Sequence, residues 1–337
     1  MRRKQAVTAK DIANACGISQ ATVSYVINNK AGKRVSEKTR QLVLETAKRL
    51  NYIPNSTARS MRTNRAMSIG IVSGRNNISI GFNHVLRGIK QYLDETGYTI
   101  TLLNADDFDP EALEYIRYYQ SGRIDAILFL FYDIPDATLE LLSERQIPYI
   151  TVNENGVWGD GMERKKAFDQ VITECADFCR KRDYRRIRFF SLQYGERLYS
   201  NKFNLFSGAL VECFPEAELK RVVIQSRDLT NEELILRLDD CIRGEEFDLA
   251  VTANQRLGWL MQGSILKNHF VLPQSIKHIC LASSHIFNLV YPTITSIDIP
   301  LTEMGRFAAE QIVRILGGEA PEEREFSCTL REGMSTE

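Results

Sequence analysis

Along the first 54 residues, apolar positions recur at helical spacing in three short bursts. Ile12, Ala13 and Ala15 form a stripe behind Thr8-Ala9-Lys10-Asp11, which has the form of a capping box, and Gly17 stands where a helix of about two turns would stop. Ser19 is a good N-cap for a second helix, with Val23, Val26 and Ile27 facing inward and Gln20, Ala21, Ser24, Tyr25 and Asn28 outward. Ser36 caps a third helix, which turns Val43, Ala47 and Leu50 to one side and closes near Asn51. Short helices joined by a tight glycine turn predict an all-α helix-turn-helix domain over residues 1–54. A segment at 55–66 follows, whose Ser56-Thr57-Ala58-Arg59-Ser60-Met61-Arg62 has too little apolar surface to hold a helix alone.

From Met67 the pattern changes. Apolar runs alternate with helical stretches: Ser68–Val72, a helix around Val85 to Leu93, Tyr98–Leu103, Ala126–Phe131 and Tyr149–Val152. A second series runs through Ile187–Phe190, Val222–Ile224, Leu249–Thr252 and His278–Leu281. Continuous apolar strands separated by helices predict parallel sheets covered on both faces. The 67–337 region therefore reads as an α/β core of two doubly wound lobes, with a cleft at the carboxyl ends of the strands.

Charge sharpens this division. The chain is neutral overall, yet its first 65 residues hold fourteen Lys and Arg against Asp11, Glu37 and Glu45, so a basic head sits on an acidic body. Such a head is where a nucleic-acid partner is sought first, although a solvated basic tail has the same composition. At 44% apolar content the 337 residues can bury several cores. The basic start at Met1-Arg2-Arg3-Lys4 is followed by polar residues rather than an apolar run, and no later run has the length of a membrane span, so a cytoplasmic location is expected. Seven scattered cysteines without CxxC pairs predict reduced, mostly buried thiols, with Cys175 and Cys179 as neighbours on one helix face. No metal and no cofactor is expected. The chain has no GxGxxG, P-loop, GxSxG or HExxH motif, and His84, His269, His278 and His285 lack a catalytic context, so the enzyme reading has no positive support.

Ordered matches at Ala13–Gly17, Ser19–Asn28, Val35–Arg40 and Asn51–Asn55 make the chain resemble the lactose-repressor (LacI) family of bacterial transcription regulators. The resemblance continues at Leu86-Arg87-Gly88-Ile89, Ile124-Asp125-Ala126-Ile127, Ala253-Asn254 and Glu303-Met304-Gly305-Arg306. It implies a periplasmic-binding-protein-like core whose chain crosses between lobes near 168, 298 and 326, giving lobe one about 67–167 with 299–325 and lobe two about 168–298 with 326–337. It also implies a homodimeric repressor of a carbohydrate-related operon, reading a palindromic operator with affinity tuned by a small molecule. The absence of a heptad tail after the last predicted strand favours a dimer over a tetramer.

By the same resemblance, Thr8, Ser19, Gln20, Ala21, Thr22, Ser24, Tyr25 and Asn28 contact DNA, with the helix from Ser19 in the major groove. Gln20 suits a bidentate bond to adenine and Ala21 a thymine methyl. Tyr25 stands where the family usually has Arg, so the preferred operator should differ. The Asn28–Val35 loop is about two residues longer than the family norm, and its Lys30, Lys33 and Arg34 suit phosphates. The 55–62 segment corresponds to the family's hinge helix, which pairs with its dimer mate in the minor groove: Asn55 and Ala58 belong to it, Met61 takes the place of the wedging Leu, and Arg59, Arg62 and Arg65 are placed to meet backbone phosphates, a simple basic linker being the alternative.

The ligand cleft departs further from the family. Lys202 occupies the position of a sugar-binding Arg, and Cys280-Leu281-Ala282-Ser283 replaces a strand end that carries paired aspartates. Phe82, Asn83, Asp169, Lys202 and Asn254 remain the candidate effector residues, each with an ordinary structural role as the alternative. Three outcomes stay open: an altered effector such as a sugar phosphate or other anion, control by a partner protein, or loss of small-molecule control. A two-lobed small-molecule receptor without DNA-dependent function is the competing reading, opposed by the attached helix-turn-helix head.

Overall fold

A computed structural model of the chain describes residues 7–27, 35–52, 65–74, 80–105, 113–132, 134–159, 161–162, 167–194, 197–198, 202–225, 229–244, 246–270, 273–282 and 285–337. The chain divides into two compact units, Met1–Met67 and Ser68–Glu337.

In the first unit, α1 (Ala9–Cys16), α2 (Gln20–Ile27) and α3 (Glu37–Arg49) enclose a small core of Ile12, Ala13, Val23, Val26, Val43 and Ala47. Ala15, read from the sequence as inward, is exposed; Cys16, one turn beyond Ile12, packs on the core instead. The α1–α2 turn works because Gly17 adopts φ 66°, a left-handed conformation that an L side chain resists, and its N–H reaches back to Ala13 and Asn14.

In the second unit, β1 (Ser68–Gly74), β2 (Thr99–Ala105), β3 (Ala126–Leu130), β4 (Tyr149–Asn153) and β5 (Gly156–Gly159) form one sheet in the order β2-β1-β3-β4-β5. All of its pairings are parallel except the β4–β5 hairpin. The helices α4 (Ile80–Thr96), α5 (Glu114–Gln120) and α6 (Asp136–Glu144) connect its strands. After β5, α7 (Ala167–Lys181) leads into the second sheet: β6 (Arg186–Tyr194), β7 (Arg197–Leu198), β8 (Glu218–Gln225), β9 (Leu249–Thr252), β10 (Lys277–Cys280), β11 (Thr295–Asp298) and β12 (Thr329–Arg331). Its order is β12-β11-β10-β9-β6-β7, with β8 paired to β6. The helices α8 (Lys202–Cys213), α9 (Asn231–Gly244) and α10 (Gln255–Lys267) lie between its strands.

The chain returns to the first sheet as α11 (Leu301–Leu316), which packs on α4, β3, β4 and β5, before β12 closes the edge of the second. The backbone thus passes between the sheets three times. The α4–α11 contact is close because both helices present glycine: a Cβ on Gly88 would run into the Thr302 carbonyl oxygen, and one on Gly305 into that of Val85. The motifs around Gly88 and Gly305 consequently serve helix packing.

In the second sheet, His278 on β10 is wholly buried. Its Nε2 lies 3.0 Å from Thr252 Oγ1, while its Nδ1 has no partner among the described residues. Residues 334–336 wrap beneath this strand: Ser335 Oγ donates to the His278 carbonyl at 2.6 Å, and Arg182 and Tyr184 both donate to the Thr336 carbonyl at 3.0 Å. All seven cysteines are free, with Cys175 and Cys179 buried one turn apart on α7. Among the described residues no helix is long and apolar enough to cross a membrane, and no acidic, His or Cys cluster could hold a metal ion.

Gly305→Ala is expected to lower unfolding stability by roughly 1–3 kcal/mol, through overpacking against the Val85 backbone. Urea denaturation checks this, with Gly208→Ala as an open-space control because nothing lies within 4 Å of the added Cβ.

Burial pushes the His278 pKa down from 6.5 to about 3, so the folded state holds this ring neutral. The stability this brings is complete above pH ~6.5 and falls as pH drops toward 3, because only the unfolded chain takes up the proton, at about 1.4 kcal/mol per pH unit. His278→Gln should reduce the slope of unfolding free energy against pH between 6 and 4 relative to wild type. Parallel slopes in denaturation series would exclude this role.

Candidate functional site

Two sets of residues meet the sequence criteria for a site, one in each unit. In the head, recognition chemistry requires a rigid helix with a free polar face. Thr8 and Asp11 make the reciprocal cap of α1: Asp11 N donates to Thr8 Oγ1 at 3.3 Å, and Asp11 Oδ2 accepts from Thr8 N at 2.8 Å and Thr8 Oγ1 at 2.7 Å. These bonds from Thr8 hold the Asp11 carboxyl below its ordinary pKa. The Thr8 hydroxyl proton is thereby used within the protein, leaving the oxygen only accepting capacity, for water or another donor.

Ser19 caps α2, accepting from Thr22 N at 3.1 Å, and its hydroxyl lies 2.9 Å from that of Thr22. With Val23 and Val26 anchored in the core, α2 turns Gln20, Ala21 and Tyr25 outward; Ser24 and Thr22 are half-buried at the margins of this face. Tyr25 is 46% exposed, a large ring that the head's own core does not cover. Asn28, Asn55, Ala58, Arg59, Met61 and Arg62 lie outside the described residues, as does the cationic loop with Lys30, Lys33 and Arg34.

In the second unit, the carboxyl ends of β4, β9 and β10 meet around Lys202. This lysine is the first residue of α8, where a cation opposes the helix dipole, and it is only 4% exposed. All three protons of its ammonium have acceptors: Ala253 O at 2.9 Å, Leu281 O at 2.7 Å and Glu154 Oε2 at 2.7 Å. Ala253 and Leu281 directly follow β9 and β10, whereas Glu154 sits in the two-residue turn between β4 and β5, so one side chain joins both sheets. That turn is fixed by Asn155 N donating to Asn153 Oδ1 at 2.9 Å. The Phe168 ring, itself buried, lies with its centroid 5.0 Å from Lys202 Nζ, a cation–π distance.

Cys280 and Cys328 stand within the field of the same pair. Burial pushes both thiols up to about 11, and on each the Lys202 and Glu154 charges act in opposite directions. Both are therefore protonated at neutral pH and unreactive as nucleophiles.

The other sequence candidates fall around this centre with different duties. Asn254 is the N-cap of α10, its Oδ1 accepting from Leu257 N at 3.0 Å. Asp169 lies half-buried on the first turn of α7, and its carbonyl accepts from Thr173 Oγ1 at 3.2 Å. Phe82 is buried on α4 beside exposed Asn83. Glu154 and Phe168 escaped the sequence reading. A lysine at a cleft position signals that a carboxylate is needed, but which of the 43 acidic residues supplies it is decided by folding.

Residues 8–55 match the family described as bacterial regulatory proteins, lacI family, and residues 176–336 match the periplasmic binding protein-like domain. The chain is 25% identical to the HTH-type transcriptional regulator RegA of Clostridium acetobutylicum, over 94% of this chain and 95% of that protein. It is 24% identical to the HTH-type transcriptional repressor PurR of Vibrio cholerae serotype O1, over 95% and 94% of the respective lengths. Among solved structures, the lac repressor dimer bound to operator and the anti-inducer ONPF shares the fold with a TM-score of 0.74 at 16% identity, covering 98% of this chain and 99% of that one. The transcriptional regulator CelR–cellobiose complex gives 0.65 at 20% identity, with 98% and 99% covered. These relatives are transcription regulators, not enzymes. The chain thus carries a LacI-type helix-turn-helix domain at its head, followed by a periplasmic-binding-protein-like domain, the arrangement its regulator relatives resemble.

Proposed function

We propose that the protein is a cytoplasmic, homodimeric repressor of a carbohydrate-related operon. It binds a palindromic operator with α2 in the major groove and the 55–62 segment in the minor groove, and a small molecule in the cleft between the two sheets changes operator affinity. The observation that carries this reading is α2 itself, a helix capped by Ser19 and pinned by Val23 and Val26, whose outward face offers an amide, a methyl and a phenol to base edges. Gln20 is the adenine reader, Ala21 packs on a thymine methyl, and Tyr25 replaces the usual guanine contact. Thr8, Ser19, Thr22, Ser24, Asn28, Asn55, Ala58, Arg59 and Arg62 supply backbone and groove contacts, while Met61 wedges a base step.

Dimerisation is supported by large apolar side chains that this chain leaves in water. Leu102, on the edge strand β2, is 62% exposed, and Leu289 and Tyr291 are 71% and 80% exposed. A second copy of the chain is the occupant proposed for them, by analogy with the lac repressor dimer of the same fold. A dimer also matches the two half-sites of a palindrome.

An operator selected from a random DNA pool tests the reading, since sequence-indifferent binding rejects it. On that operator, Gln20→Ala should lose roughly 1–3 kcal/mol of discrimination at one position per half-site, with the salt slope of binding unchanged. Competition with single-base-pair variants measures this, and a uniform loss across all variants would remove Gln20 as a base reader. For the interface, Tyr291→Glu combined with Leu289→Glu should move the sedimentation coefficient from dimer toward monomer at micromolar protein. Unchanged sedimentation would place the interface elsewhere.

A further inference from the structure

The carboxyl ends of paired parallel sheets are where such a fold holds a small ligand, and here the protein's own side chains span that space. The three acceptors on the Lys202 ammonium are not equivalent. Two are main-chain oxygens, of Ala253 and Leu281, fixed by the ends of β9 and β10. The third is the Glu154 carboxylate, on a side chain that is 32% exposed at the tip of the β4–β5 turn. Only Glu154 can leave without disturbing a strand end.

Anything that enters between the sheets and separates this pair faces an asymmetric outcome. Glu154 can rotate into water, whereas the Lys202 side chain is 5% exposed and would be left as a charge without a counter-charge. That state is strongly disfavoured in a water-poor site. The Phe168 ring 5.0 Å from Nζ favours a cation there and offers nothing to neutralise it. A neutral ligand leaves the ammonium without a counter-ion; a ligand carrying its own negative group restores the pair.

We propose that the cleft takes a small anion bearing a carboxylate or phosphate group, and that Glu154 is its built-in competitor for the Lys202 ammonium. This rests on the reading of the chain as a ligand-responsive regulator and narrows the ligand class of that site. It assigns Lys202 as the anion-pairing residue and Glu154 as the residue that sets selectivity, by excluding ligands too weak or too neutral to displace it.

The test uses the full chain with Glu154→Ala, titrated at constant ionic strength with sodium acetate and, separately, inorganic phosphate, with glucose as the neutral control and thermal unfolding as the readout. A saturable rise in Tm is expected with at least one anion and none with glucose, with half-saturation at least tenfold lower than in wild type. The stronger of the two anions distinguishes a carboxylate from a phosphate ligand. Glu154→Ala with Lys202→Met, which removes both charges, is expected to abolish the response. Should Glu154→Ala fail to fold, Glu154→Gln keeps an acceptor of the same shape without the charge and carries the same titration. No saturable response, one no tighter than in wild type, or one that survives in the double variant overturns the proposal. Operator binding by the wild type is measured alongside. Its absence sinks the regulator reading whatever the anions do, and operator binding without an anion response sinks the anion proposal alone.

Discussion

A buried ammonium sets the terms for the cleft of this protein. Lys202 brings a full charge into a site from which water is nearly excluded, and such a charge persists only where every proton has an acceptor and a counter-charge lies beside it. Two acceptors come from the ends of neighbouring parallel strands and the third from a hairpin turn in the other sheet. The ion pair therefore constrains the ends of β4, β9 and β10 together. Cys280, Cys328 and Phe168 are arranged around that pair, and the unreactive state of the two thiols follows from the same burial.

The head depends on a different balance. Among the described residues its core has six buried apolar side chains, all small or medium, with seven partly buried ones packed against them; for so small a core, the caps of Thr8, Ser19 and Ser36 and the left-handed Gly17 carry a share of the order. Each cap is worth about 1 kcal/mol, a large fraction of the stability of so small a unit. Holding α2 by its cap and two valines leaves Gln20, Ala21 and Tyr25 exposed on the opposite side, where the proposed reading places the contacts to DNA. Tyr25, standing where the family usually has Arg, lies on that face; under the proposed reading it alters what is read without touching the core.

Local patterns carried much of this into the sequence. The Thr8–Asp11 capping box, the Ser19 and Ser36 caps, the Gly17 turn and the inward Val23 and Val26 are short-range features, readable because helix periodicity and caps act within a few residues. Ala15 was misassigned because alanine fits either side of a short helix, so its hydrophobicity decides nothing. The buried strands were visible as apolar runs, whereas β5, β7, β11 and β12 were not; they are two to four residues long, and unlike the equally short β9 and β10 they have no continuous apolar run, so their form comes from pairing with neighbours. Glu154 illustrates the same limit at the cleft. Nothing in Asn153-Glu154-Asn155-Gly156 marks that carboxylate as the partner of a lysine 48 positions away, because the contact exists only after both sheets have folded.

The strength of the cleft ion pair also bounds how the protein can be controlled. Breaking a buried pair by removing one partner costs about 3–5 kcal/mol, and a ligand that separates Lys202 from Glu154 must recover most of that before it binds at all. An anion recovers it through its own bond to the ammonium, and its net affinity reflects the difference between its contact and that of Glu154. A ligand shifts operator affinity only by as much as it favours one arrangement of the lobes over the other. A competitor built into the chain lowers apparent affinity for every ligand yet lowers it least for those that replace it most completely, so selectivity is gained at the expense of sensitivity. Such a site suits a signal molecule that accumulates to high concentration and whose distinguishing feature is its charge.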